Sequence, residues 1–355
     1  MSKVERAEKI CRASKGTQII KETLLEKARI LYKNEEYSSA IASFKELLKI
    51  CNEEEDLIII EEALNEMGLA YSSDKDFHSA LKAHHEAEKY SKRTRNAVGI
   101  RKSVNNQGVL LLKTGEFEKS LSLFRQCEKL CLEQGDVEML QAVMGNVALS
   151  HWKLGDLDKA VEKYEEREKI CREKGFAKEL QHCLRMQGVL FNKAGALEYS
   201  QKLFEEQEKI CLSLGLQQDL AVCLGYQADI CKNLGEYKQA LILNERVEKI
   251  FHASGEMHEY AIAQVNRGLI LIHLNEKEVA RSLFRESVRI CREHNFKYGL
   301  ALSLINDASI EEDRRQSLRK AKEGYQLAKE MSDLNLQSVA MQIIQDNKNL
   351  DDDLA

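Results

Sequence analysis

The chain has no proline in 355 residues, one tryptophan, and only 6% aromatic residues. Proline interrupts helix interiors and punctuates turns, so its absence favours long uninterrupted helices. The turn chemistry needed by a β-sandwich, a barrel or a doubly wound α/β fold is missing. No apolar run approaches the roughly 18 residues of a membrane span, so membrane insertion is not expected. Charge of one sign is also lacking: 53 basic residues stand against 58 acidic ones, for a net charge of −5. A duplex-binding surface needs a basic excess, and nucleic acid is therefore not an expected partner. Met1–Lys15 is charged, with no apolar core, and does not read as a secretory signal. With ten cysteines and no export signal, the expected setting is cytoplasmic and the thiols reduced.

What the sequence does contain is a repeat. Length alone would suggest about two domains, but self-similarity with a period of 40 residues argues for one array. Units begin at 21, 61, 101, 141, 181, 221, 261 and 301, and positions within a unit are called places. Place 8 is always small: Ala28, Gly68, Gly108, Ala148, Gly188, Ala228, Gly268 and Ala308. Place 20 is small in all but the last unit, which has Lys320. Place 24 is mostly large, with Phe44, His84, Phe124, Tyr164, Phe204 and Phe284 among its occupants. The pattern fades in the eighth unit.

Each unit reads as two helices, over about places 1–14 and 17–34. Gly115, Gly155, Gly195 and Gly235 mark the turn inside a unit. Gly135, Gly175, Gly215, Gly255, Asn295 and Asn335, all at place 35, suit a left-handed cap at the end of the second helix. Small residues on the first helix let the second approach, and large residues at places 17 and 24 fill the space between them. One pair cannot bury its apolar face alone, so stacked pairs must share a core.

Gly or Ala at place 8, Gly followed by Asp or Glu at 15–16, an aromatic at 17, Ala at 20 and an aromatic at 24 together resemble the tetratricopeptide repeat, over about residues 21–340. The familiar unit of that family has 34 residues and a proline near its end. These units have 40 and none, which is similar to the arrays of spindle-orientation and G-protein-signalling modulators. The Leu-Gly-Asn triplet of those arrays is replaced here by Gln107-Gly108-Val109 and Gln187-Gly188-Val189. The resemblance implies an all-α, right-handed superhelical solenoid of about eight antiparallel helix pairs. Residues 1–20 are expected to form an N-terminal capping helix, 21–340 the eight repeats, and 341–355 the end of a closing helix and an acidic tail.

Six cysteines (Cys11, Cys51, Cys131, Cys171, Cys211 and Cys291) share place 31. Equivalent places in neighbouring units are too far apart for a disulfide, and no His–Cys set completes a zinc site. Buried packing is the expectation, with no metal and no cofactor. The nine histidines keep no common place, and there is no phosphate loop, nucleophile elbow or His-Glu-x-x-His motif. The chain is not expected to be an enzyme.

The resemblance implies that first helices line a concave groove, where places 2, 6, 9 and 13 form one stripe. Place 6 holds Asn106, Asn146, Asn266 and Asn306, with Tyr226 among them. Each amide offers a donor and an acceptor to a peptide backbone, similar to the asparagine ladder of O-GlcNAc transferases. The same asparagines could instead bond neighbouring helices. Lys102, Lys113, Lys153, Arg185 and Lys193 would add a basic strip favouring an acidic peptide or a C-terminal carboxylate. The chaperone-clamping set of Lys and Asn found in some relatives is absent. The expected function is a non-catalytic scaffold that binds a peptide or partner helix in its groove. The alternatives are a peptide-sensing regulatory module, or a scaffolding arm of a larger signalling protein or enzyme complex. Oligomeric state stays open.

Overall fold

The computed structural model describes the backbone of residues 3–352 and the side chains of residues 16–347. All seventeen elements among the described residues are α-helices. They fall into two compact units, Met1–Lys174 and Gly175–Ala355. The first unit holds α1 (Lys3–Lys33), α2 (Tyr37–Glu53), α3 (Leu57–Ser73), α4 (Phe77–Thr94), α5 (Ala97–Lys113), α6 (Phe117–Gln134), α7 (Val137–Lys153) and α8 (Leu157–Lys174). The second holds α9 (Ala177–Lys193), α10 (Leu197–Leu214), α11 (Gln217–Asn233), α12 (Tyr237–Ser254), α13 (Met257–His273), α14 (Lys277–Glu293), α15 (Lys297–Ser309), α16 (Arg314–Glu330) and α17 (Leu334–Asp352). Consecutive helices pack pairwise within each unit, which makes the chain an all-α tetratricopeptide-like solenoid.

The second helices of the first seven units begin at place 17, as expected. The first helices from α3 to α15 begin four residues earlier than expected, directly after the turn at places 35–36, and in α3, α5 and α7 the side chain at place 36 caps that start. Asp56, Asn96 and Asp136 accept from the backbone N–H of Ile59, Gly99 and Met139 at 3.4, 3.2 and 3.0 Å. α1 runs unbroken through the expected cap and the first repeat helix. The side chains of its first part, Cys11 included, lie outside the described residues, as does the end of the acidic tail.

Every turn from 35 to 295 is made alike. One residue takes a positive φ at intervals of 20: Glu35, Glu55, Lys75 and Arg95, then glycines from Gly115 to Gly255, then Asn275 and Asn295. The next N–H reaches back five residues to a helix carbonyl, as from Asp136 to Cys131 at 3.0 Å.

Four of the pairs show knob-and-notch packing of a glycine at place 8 against a ring at place 24. A Cβ on Gly188 would lie 2.8 Å from Cζ of the fully buried Phe204. In the second repeat the knob is His84, and a Cβ on Gly68 would lie 2.6 Å from its ring. His84 Nδ1 shares a 3.2 Å hydrogen bond with Asn65 Oδ1, and burial pushes its pKa down to about 4. All nine cysteines with described side chains are free and buried. Burial raises the thiols of Cys51 and Cys211 to about 11 and those of Cys127 and Cys223 to about 12.

The last pair departs from the 40-residue count. Ser120 and Ser200 donate to the carbonyls of Gly108 and Gly188, twelve residues back; Ser317 makes the same bond to Ala308, nine back. The connection is three residues shorter because Asp313 caps α16 early, accepting from Arg315 and Gln316 N–H. Asn335 is therefore not the left-handed cap expected of it. Ser332 takes that conformation, with φ 58°, and Asn335 lies inside α17.

Candidate functional site

Odd-numbered helices also meet one another within each unit: α3 with α5, α5 with α7, α9 with α11, and α13 with α15. They form a row within each unit, and the stripe this row presents to solvent is where a ligand could lie. In α3 the stripe is Ile58, Glu62, Glu66 and Leu69; in α5 it includes Val98, Lys102 and Asn106. Between these helices opens a cleft of about 560 Å³, with Met139 of α7 at one side. Ile58, Leu69 and Val98 are 68%, 40% and 48% exposed there, an apolar lining in contact with water.

Polar groups converge on the same cleft. Asn146 Nδ2 donates to Asn105 Oδ1 across the α5–α7 boundary at 3.1 Å, the interhelical alternative that the sequence left open. The neighbouring amide of Asn106 is half-buried, lines the cleft, and has no side-chain partner among the described residues. Arg29 of α1 clamps Glu66 in a fork, Nε to Oε2 at 2.9 Å and Nη2 to Oε1 at 2.6 Å, and reaches Glu62 at 2.6 Å. Lys102 is exposed at the rim.

Glu61 sits deeper and is 5% exposed. Its two carboxylate oxygens each lie 3.0 Å from Asn96 Nδ2, which donates to both. The equivalent residues of the repeats on either side are cations. Lys21 Nζ is 2.7 Å from Asp56 Oδ2, and Arg101 Nη2 is 2.6 Å from Asp136 Oδ2. The hydrogen bond from Lys21 to Asp56 raises the Lys21 pKa above its usual value. Place 1 thus meets place 36 at each of these three junctions, as cation–acid, acid–amide and cation–acid.

The other expected site residues divide between the units. Lys113 and Lys153 are exposed near the C-terminal ends of α5 and α7, with Lys153 Nζ lying 5.9 Å from the Trp152 ring centroid. In the second unit Arg185 is engaged, its Nη1 lying 3.1 Å from Asp219 Oδ1. Tyr226 stacks on Phe204, with ring centroids 5.0 Å apart and planes 8° apart. Asn306 Nδ2 returns to its own helix at Leu302 O, 2.8 Å away. Asn266 is half-buried with no side-chain partner among the described residues, and Lys193 is exposed. The structure therefore brings Lys102 and Asn106 together in the first unit's cleft, ties Asn146 to the neighbouring Asn105, and gives Arg185, Tyr226 and Asn306 partners of their own in the second unit. Sequence reasoning missed Ile58, Val98 and Glu61. The first two occupy place 38, which joins the stripe only because the odd helices start early.

No group of three or more metal-ligating side chains capable of holding an ion occurs among the described residues. No helix among them is long and apolar enough to cross a membrane.

The family model described as Anaphase-promoting complex subunit 5 matches residues 10–68, 67–194 and 230–314. No curated protein sequence matches the chain. Among solved structures, it is similar to a signal transduction ATPase with numerous domains that carries a tetratricopeptide repeat sensor, from Pyrococcus horikoshii. That match has a TM-score of 0.69 and 14% identity, over 92% of this chain and 50% of that one. Aspartyl phosphate phosphatase F from Bacillus subtilis gives a TM-score of 0.63 and 13% identity, over 82% of this chain and 75% of that one. The apo form of the quorum sensor NprR from B. thuringiensis gives 0.52 and 16%, over 89% and 98%.

Proposed function

The chain belongs to the Anaphase-promoting complex subunit 5 family of tetratricopeptide-type repeats, and from that premise we propose that it is a non-catalytic interaction module whose odd-helix face binds an extended peptide of a partner protein. The observation that carries this reading is the unpartnered Asn106 amide, beside the Asn105–Asn146 pair in a cleft with exposed aliphatic walls. A free amide offers a donor and an acceptor to a peptide backbone whatever its side chains, and the aliphatic walls bury apolar anchors. Lys113 and Lys153, further along the same helices, favour acidic groups at that end of the peptide. Asn266 is a corresponding free amide in the second unit.

The test is retention of purified protein on an array of acetylated, amidated random dodecapeptides. Changing both Asn106 and Asn146 to Ala should lower retention across peptides of unrelated sequence. Thermal stability should barely change. The lost half-exposed hydrogen bond is worth about 1 kcal/mol, and alanine's helix propensity returns about 0.5 kcal/mol per site. Equal retention by wild type and variant would reject the face as the binding site.

A second reading is favoured by the family itself, whose description is that of a complex subunit. On that reading the array is a scaffolding arm, and its stable partner is another subunit rather than a transient peptide. Affinity purification at increasing salt, followed by mass spectrometry, separates the two. A stoichiometric co-purifying chain supports the arm. Absence of such a chain, with retention on the peptide array, supports the transient peptide.

A further inference from the structure

The cleft between α3 and α5 has an unbalanced charge. Two of its acids, Glu62 and Glu66, share Arg29. The third, Glu61, is the most buried of the three, and its hydrogen-bond partner among the described residues is the neutral amide of Asn96. The orientation of Asn96 is fixed, because its Oδ1 caps α5 at Gly99 N–H while its Nδ2 faces Glu61. The space for the carboxylate is also built in: a Cβ on Gly99 would overlap Glu61 Oε1. A buried carboxylate without a counter-charge is costly, and a cation supplied from outside would relieve that cost. The aliphatic side chains of Ile58 and Val98 flank the way in.

We propose that this cleft selects a lysine or arginine side chain of the bound peptide. The charged head meets Glu61, and the aliphatic stem lies against Ile58 and Val98. The inference rests on the peptide-binding reading above and deepens it. Charge complementarity identifies the occupant: with Glu62 and Glu66 held by Arg29, Glu61 is the lining acid left without a cationic contact among the described residues. A long side chain suits the site better than a peptide's N-terminal ammonium, because the acid is recessed and the walls are apolar. Lys102, exposed at the rim, opposes the basic head and tunes the preference.

The probe is an array of acetylated, amidated nonapeptides with aliphatic flanks and a central Lys, Arg, Ala or Glu, together with the Ala series carrying a free N-terminus. Wild type should retain the Lys and Arg series about tenfold over Glu, a preference that shrinks as salt screens the pairing. Glu61→Gln keeps the shape and the Asn96 contact and should erase most of that preference while leaving general retention in place. Lys102→Glu changes only an exposed residue and should sharpen the preference severalfold, which keeps the test decisive if Glu61→Gln folds poorly. Retention with no basic preference, or with a preference for the free N-terminus, overturns this inference and leaves the peptide-binding reading standing. No retention of any series overturns both.

Discussion

Removing either member of the Arg101–Asp136 pair should have very unequal consequences. Arg101 is 6% exposed; among the described residues its guanidinium has one acidic partner, Asp136, at 2.6 Å, and its buried Nε has no hydrogen-bond partner. Asp136 has a second role, capping α7 through Met139 N–H. Asp136→Ala loses the cap, about 1 kcal/mol, and strands a buried guanidinium. The usual cost of that is about 3–5 kcal/mol, and the lower end applies because Asp136 is partly exposed. The sum is about 4 kcal/mol. Arg101→Met keeps the cap, removes the unsatisfied Nε and fills similar volume, so it should cost less than about 1 kcal/mol. The double variant should then be more stable than Asp136→Ala alone by about 2–3 kcal/mol. Asp136→Asn, which keeps the cap and drops the charge, should fall between. Urea unfolding followed by helical circular dichroism measures these differences, provided the m-values agree. The reasoning is refuted if the double variant is no more stable than Asp136→Ala, or if Arg101→Met is as damaging as Asp136→Ala.

Other expectations can be checked on the same protein. His84, held neutral in the fold at a pKa of about 4 against about 6.5 unfolded, leaves stability untouched above pH 6.5. As pH falls through that window the unfolded chain takes up the proton first, so stability should drop by about 3 kcal/mol by pH 4. His84→Phe should flatten this pH profile, and an unchanged profile would exclude His84 as its source. Gly215→Ala, at φ 67° with nothing within 4 Å of its added Cβ, should cost about 1 kcal/mol by backbone strain alone. Arg95→Gly, at φ 55° in an equivalent turn, should be neutral or slightly stabilising in the same urea assay. The nine buried thiols should react with an alkylating reagent at pH 8 only as the chain unfolds, and fast labelling of the native protein would contradict their burial.

The repeat period, the helix pairs and the places of the packing residues were legible in the sequence because they recur in phase. A small residue at place 8 facing a ring at place 24 is a local rule repeated along the chain. The last pair escaped because Asp313 moves one helix start by three residues, and a fixed count carries Asn335 past the true turn at Ser332. The cleft was only half legible. Asn106 and Lys102 were visible as positions on a stripe. Glu61 was not, because acids are common on helices and only the fold reveals which one is buried. The pairing of place 1 with place 36 left a trace in the alternation of Lys21, Glu61 and Arg101 against Asp56, Asn96 and Asp136. That trace spans 35 residues, beyond any local pattern.

That pairing also gives the array a grain. Both members of each pair fall between one unit start and the next, so excising residues 61–100 would remove Glu61 and Asn96 together and leave Lys21–Asp56 and Arg101–Asp136 whole. Excising the same length from 81 to 120 would bring Glu61 opposite Asp136, acid against acid in a buried seam. Gain or loss of whole repeats by recombination would therefore be tolerated at one phase of the period and punished half a period away.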